Sequence, residues 1–392
     1  MADTALPAWA RDDAFPEKPD SDAYGCRDDK GRLTGFESLK DLRKYLSAGK
    51  GRLAWVWTPD VDRFVAPEEI PELAKSLNKR RALLASDDLD AAKRRLLIFG
   101  AALLYFLYID FLTGGFEAVK VSKNVGIAAI LLAVFGLRPW WESRQGLQVA
   151  QNFSLEETES EVPEARFELW LSSQRSRITI LLCGLILAVF AIQYFTKGLK
   201  FASLDKEAHA AGDWWRLYTG ALLHGNLLHL GMNLSALWYL GRRTEILARW
   251  PHLAMVVFLS VVGGGWATIA WVKAPSVGIS GAVCGLLGFL LVFESLHQPL
   301  VPKPARQRLL GILVSLVVIG LLAISLIDNA AHFGGLVTGA VYALVVFPKS
   351  SSPLRPNILK QDRLLGFGAL ALIFLSGLGA MIVMLLANAT GT

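Results

Sequence analysis

From residue 96 onward the chain is a succession of apolar stretches separated by short polar ones. A bilayer core about 30 Å thick needs roughly 20 mostly apolar residues of helix. By that measure nine segments predict membrane spans: 96–113, 124–140, 178–195, 218–240, 252–272, 277–295, 309–327, 331–347 and 364–387. The first two are short, with Asp110 inside 96–113, and together predict a hairpin. Residues 141–177 are polar, carry Glu156, Glu157, Glu159, Glu161, Glu164 and Glu168, and read as a solvated helix or loop. Before residue 95 the pattern changes: Leu53–Thr58 (LAWVWT) reads as a strand, and Pro67–Leu84 as a helix with charged faces. The expected fold is all-α, a polytopic membrane helix bundle behind a small soluble N-terminal domain. The expected divisions are the domain 1–95, a hairpin 96–140, a linker 141–177, a core 178–347, and an inner loop with a last span, 348–392.

Composition supports this division. The 392 residues are 53% hydrophobic and 19% charged, against about 25% charged in a soluble domain. Residues 1–95 hold 18 of the 40 Lys and Arg and 18 of the 34 Asp and Glu, so the head is highly charged yet neutral. It has no catalytic or metal motif and reads as a docking or regulatory module. Its first residues, MADTALPAWARDDAF, contain no apolar run, so no cleavable signal is expected. The net charge of +6 would suit nucleic acid, but the later basic residues are spread between apolar segments, and no nucleic-acid partner is expected. With the N-terminus inside, the loops after residue 95 place 15 Lys and Arg inside and 7 outside, the bias that sets membrane orientation. Three cysteines, Cys26, Cys183 and Cys284, are too few for a disulfide framework or a zinc spacing.

Strongly polar side chains within spans are functional candidates, and three spans carry them. The fourth contains HGNLLHLGMN, with His224, His229 and Asn233. The sixth opens on VGISGAVCGLLG, with Ser280 between Gly278 and Gly281, and the eighth on AAHFGGLVTG, with His332. In this orientation all five polar residues lie at one depth in the outer half. A serine hydroxyl needs a base to become nucleophilic, and histidine is the usual one. Gly281–Gly285 and Gly335–Gly339 are small-xxx-small faces that let the sixth and eighth helices meet closely. That contact would bring the Ser280 hydroxyl within reach of the His332 imidazole. Asp328 lies one turn from His332, so a dyad is expected in preference to a triad. His229 and Asn233, four apart, share a helix face and, with free N–H groups at a helix start, can stabilise an oxyanion.

A zinc peptidase is the chemical rival. His224 and His229 are five apart, about 140° around a helix, and no Glu accompanies them, so no metal and no cofactor are expected. A transporter or channel would need polar residues on both sides of the midplane, and the inner halves of 218–347 are nearly without them.

The H-x-x-x-x-H-x-x-x-N, G-x-S-G and A-H-x-x-G-x-x-x-G elements resemble those of the rhomboid intramembrane serine proteases, as do Trp215-Arg216 and the G-x-x-x-E of Gly241 and Glu245. The resemblance covers 178–347 and implies a six-helix core with extra helices, 364–387 among them. It implies Ser280 as nucleophile and His332 as general base. His229, Asn233 and the Ser280 N–H would form the oxyanion hole, with Gly278 supporting it and His224 organising water or loop hydrogen bonds. It departs at Cys284, where many relatives place an aromatic residue. The expected activity is cleavage of single-pass transmembrane substrates within the lipid bilayer, near the outer face. The contrasting expectation is a non-catalytic member that binds transmembrane clients. Either would be a multi-pass protein of the cell membrane, the inner membrane in a bacterium, with a cytoplasmic N-terminus and a site opening to the extracytoplasmic side.

Overall fold

The computed structural model describes residues 6–20, 23–28, 31–48, 53–152, 155–322 and 327–390, in two compact units. One unit comprises 6–173 with 314–327; the other comprises 174–313 with the chain from 328 onward.

The first unit begins with a three-stranded antiparallel sheet in the order β2-β1-β3: β1 is Tyr24–Asp28, β2 Leu33–Phe36 and β3 Leu53–Trp57. The strand read in LAWVWT is β3. Cys26 sits opposite Val56, and both bury against Leu42 and Leu46 of helix α1 (Leu39–Ser47) and against Ile70, Leu73 and Leu77. The four-residue spacing of Leu42 and Leu46 puts both on one helix face, and Ser38 caps that helix by accepting the Asp41 N–H. The helix expected from Pro67 begins as two short 3-10 turns, and α2 then runs from Ala74 to Val121. It is interrupted by non-helical backbone at Gly114 and Gly115. Helix α3 (Lys123–Leu131), a π turn (Leu132–Leu137) and α4 (Arg138–Gln151) run back along it. Leu96 faces Gly136, Ala85 faces Gly146, and Asn78 donates to the Ala150 carbonyl at 2.9 Å. The hairpin expected over 96–140 is therefore the apolar end of a longer one. The linker read as solvated contains α5 (Leu155–Ser173), which buries Phe167 and Trp170. Its Arg166 donates to the Trp9 carbonyl at 3.1 Å and pairs with Asp12 and Glu69. Read by charge alone, those aromatic residues were hidden among six glutamates.

The second unit is helical: α6 (Arg177–Thr196), the short α7 (Leu199–Ala202), α8 (Lys206–Ala210) and α9 (Arg216–Thr219), then α10 (Leu227–Leu247), α11 (Trp250–Trp271), α12 (Ser280–Leu296), α13 (Lys303–Leu322, whose part from 314 onward falls in the first unit), α14 (Asn329–Val346) and α15 (Lys360–Ala389). Helix α12 is central and almost wholly buried, with α14, α11 and α10 around it. Glycine makes the close approach possible: a Cβ on Gly335 or Gly339 would collide with the carbonyl of Gly281 or Gly285. At the far end Arg243 forms a two-pronged buried pair with Glu294 (2.6 and 2.9 Å) and donates to the Ala305 carbonyl, joining α10, α12 and the start of α13. Glu245 accepts from the Ile178 and Thr179 N–H groups and the Thr179 hydroxyl, closing the start of α6.

Among the described residues, seven helices are long and apolar enough to cross a membrane, against nine expected spans. The two that differ are 218–240 and 277–295. Helix α10 starts nine residues later than expected, at Leu227, and its histidine, asparagine, arginines and glutamate lower its hydropathy. Helix α12 is 17 residues long and starts at Ser280, because Gly278 has φ +122° and ends the preceding loop in a non-helical turn. Helix α12, buried among its neighbours, meets little solvent or lipid, whereas α10 keeps an exposed face at Leu227, Leu228 and Trp238. The end of the expected 309–327 span, 323–326, lies outside the described residues.

Candidate active site

Ser280 is the first residue of α12, and the loop before it is held from three directions. Ser276 and Leu204 exchange backbone hydrogen bonds at 3.0 Å, and the Gly278 N–H donates to the Gly220 carbonyl at 3.0 Å. The Ser276 hydroxyl donates to Asp328 at 2.6 Å, as does the Thr268 hydroxyl at 2.7 Å. Asp328 also caps α14 by accepting the Ala331 N–H at 2.9 Å. This carboxylate is thus occupied in fixing the loop to α11 and α14. Ser280 and its followers begin a helix, so their N–H groups have no carbonyl one turn back.

His332 lies in the first turn of α14, its N–H bonded to the Asp328 carbonyl. A Cβ on Gly281 would stand 3.2 Å from the Ala331 carbonyl oxygen. The first turns of α12 and α14 therefore touch through backbone at the positions next to Ser280 and His332. His332 Nδ1 is buried without a hydrogen-bond partner among the described residues. The Ser280 hydroxyl makes no hydrogen bond among the described residues. In unliganded sites such bonds are often long and tighten on the substrate.

From the other side, α10 presents His229 and Asn233 to the same loop. The Cε1 and Nε2 atoms of His229 are 2.7 and 2.9 Å from the place a Cβ on Gly278 would take, and the Asn233 amide nitrogen is 3.5 Å from it. Only glycine fits there, on grounds of both φ and space. The Asn233 amide is buried and its nitrogen has no partner among the described residues. His224, expected in the fourth span, lies before the helix: Asn226 caps α10 by accepting the His229 N–H at 2.9 Å. The His224 ring is wholly buried and sits edge-on to His229, centroids 5.1 Å apart. Five of the six expected site residues, all but His332, are thus linked by contact or chain neighbourhood around Gly278, and His332 adjoins through the α12–α14 contact.

The residues that the sequence reading missed are supports. Gln193 of α6 holds His224 in place, accepting its N–H at 3.0 Å and donating to its carbonyl at 2.6 Å. A lone Gln in an apolar span was the available signal. Thr268 and Ser276 gave no comparable signal. Trp215-Arg216 shapes the preceding loop: Arg216 stacks on Trp215, pairs with Asp213 at 2.8 Å and donates to the Lys200 and Ser203 carbonyls. Below the Ser280 loop a cavity of about 30 Å³ is lined by Ser260, Gly264, Gly278, Gly281 and Ala331, room for about one water. A serine hydroxyl, an imidazole, an amide donor and the N–H groups of a helix start lie around one turn, groups of the kinds that acyl transfer uses.

Residues 211–349 match the rhomboid domain. The rhomboid protease GluP of Bacillus subtilis is 30% identical over 153 residues, covering 39% of this chain and 30% of its own length. RHOMBOID-like protein 4 of Arabidopsis thaliana is 32% identical over 145 residues (36% and 37%). The rhomboid protease GlpG of Photorhabdus laumondii is 34% identical over 144 residues (33% and 46%). The chain thus matches less than half the length of each of these relatives.

Proposed function

We propose that this chain, a rhomboid family protein by the domain at 211–349, is an intramembrane serine endopeptidase that cuts transmembrane substrates near the outer face of a cell membrane. Ser280 Oγ attacks the scissile carbonyl while His332 takes its proton, then returns it to the leaving amine. The tetrahedral oxyanion is met by the Ser280 N–H, His229 and Asn233, donors that stabilise charge as it develops. Water then hydrolyses the acyl-enzyme by the same proton relay. A substrate helix must unwind to expose a carbonyl, which favours residues of low helix propensity at the cut. The positive loops argue for a cytoplasmic N-terminus and, with similarity to bacterial relatives, for a bacterial inner membrane.

The observation that carries the reading is the donor set of α10 against Gly278, two residues from a serine that starts a helix. The test is cleavage of a model transmembrane substrate by purified wild type and Ser280→Ala, with fluorophosphonate labelling alongside. Cleavage and labelling are expected in wild type, neither in Ser280→Ala, and sharply reduced labelling in His332→Ala. Equal cleavage by wild type and Ser280→Ala would overturn the reading. Binding of the substrate without cleavage by either would favour the client-binding alternative.

A further inference from the structure

We infer that the end of the bundle remote from Ser280 carries a binding site for an anionic phospholipid of the inner leaflet. A groove of about 950 Å³ opens there, between the last turns of α12 and α14 and the first turns of α13. Its apolar walls include Leu291, Leu310 and Leu344, the last two more than half exposed. Its rim carries Lys303, Arg306 and Lys349. Leu296, at the far end of α12, is 16 residues from Ser280, about 24 Å along the helix, so the groove lies at the opposite membrane interface.

Charge and position identify the occupant. Among the described residues of the lining the one carboxylate, Glu294, is already held by Arg243, so three cations face the groove uncompensated from within it. Arg306 Nε is buried and has no hydrogen-bond partner among the described residues, and a guanidinium is suited to phosphate oxygens. Lys303 starts α13 and Lys349 follows the end of α14, the level at which basic side chains meet headgroups. Basic pockets between helices on the cytoplasmic side recognise anionic headgroups. A soluble anion would satisfy the cations but leave the exposed leucines without an apolar partner. A phospholipid fills both, its phosphate on Arg306 and the lysines and an acyl chain along Leu310 and Leu344. The inference uses the proposed orientation but none of the chemistry at Ser280.

The test is native mass spectrometry of the full chain, purified in detergent and titrated with phosphatidylglycerol or phosphatidylcholine. Phosphatidylglycerol is expected to be retained preferentially. Affinity should fall about fivefold in Lys303→Gln or Lys349→Gln, and about a hundredfold with Arg306→Gln added to both. Both lysines are exposed, so the single variants keep the fold, and tryptophan-monitored melting verifies it. Lys360→Gln with Arg363→Gln, exposed basic residues outside the groove, should retain the lipid as wild type does. Equal retention of phosphatidylcholine, or undiminished retention by the triple variant, would overturn the inference. Displacement by millimolar inorganic phosphate as readily as by added phosphatidylglycerol would overturn the lipid as the source. Fluorophosphonate labelling of the same samples reports on Ser280 separately.

Discussion

The Asn233 amide nitrogen is buried with no partner among the described residues, and an unsatisfied buried donor costs about 1–3 kcal/mol. Such a cost is intelligible if the donor faces a place where negative charge appears only during reaction. Asn233→Ala should therefore lower kcat about 10²–10³-fold, while thermal melting stays unchanged or rises and fluorophosphonate labelling of Ser280 persists. Asn226→Ala serves as the contrast. It removes the cap that accepts the His229 N–H and should lower stability by about 1 kcal/mol. A lower melting temperature with normal kcat in Asn233→Ala would make Asn233 a packing residue. The shared helix face of His229 and Asn233 was legible from their spacing. The place of His224 was not, because the apolar run before it hid the signal that α10 begins only at its cap, Asn226. The support from Gln193 depends on tertiary placement, which no local spacing encodes.

Among helices, the contact that matters is glycine on glycine. The sequence shows the small-residue faces of α12 and α14, and the structure puts Gly335 and Gly339 against the carbonyls of Gly281 and Gly285. What it did not show is that α11 enters the same contact, with Gly334 against the Gly263 carbonyl and Gly264 against the Ala331 carbonyl. A run such as GGGW carries no label for which partner it meets. Backbone atoms cannot rotate aside as a side chain can, so Gly339→Ala should destabilise by about 3 kcal/mol and disturb the Ser280–His332 placement. Gly368 in α15 has nothing within 4 Å of its missing Cβ, and Gly368→Ala should add up to about 1 kcal/mol through helix propensity alone. Denaturant titration of both variants in one detergent separates packing from propensity. Matching shifts of the same sign would mean that the glycine contacts do not hold the bundle.

At the scale of the whole molecule the open question is which side of the membrane each segment occupies, and the first hairpin decides it for the N-terminal residues. Leu97, Leu104, Tyr108 and Leu112 are 60–76% exposed along α2, a stripe that water would penalise and lipid would accept. Residues 96–113 as helix span about 27 Å, close to a bilayer core, and α3 with α4 returns alongside. If that stretch crosses, the charged half of the hairpin before residue 96 lies on the side proposed for the N-terminus. In a variant lacking Cys26, Cys183 and Cys284, single cysteines can be probed in intact cells with an impermeant maleimide. Glu117→Cys, beyond the kink at Gly114, should label without permeabilisation, as should Lys273→Cys. Ser172→Cys and Lys349→Cys should label only after it. Protection of Glu117→Cys alongside open labelling of Lys273→Cys would mean that the hairpin turns back without crossing. The exposed stripe on α2 would then need a protein partner in place of lipid, so this one residue decides what the N-terminal unit faces.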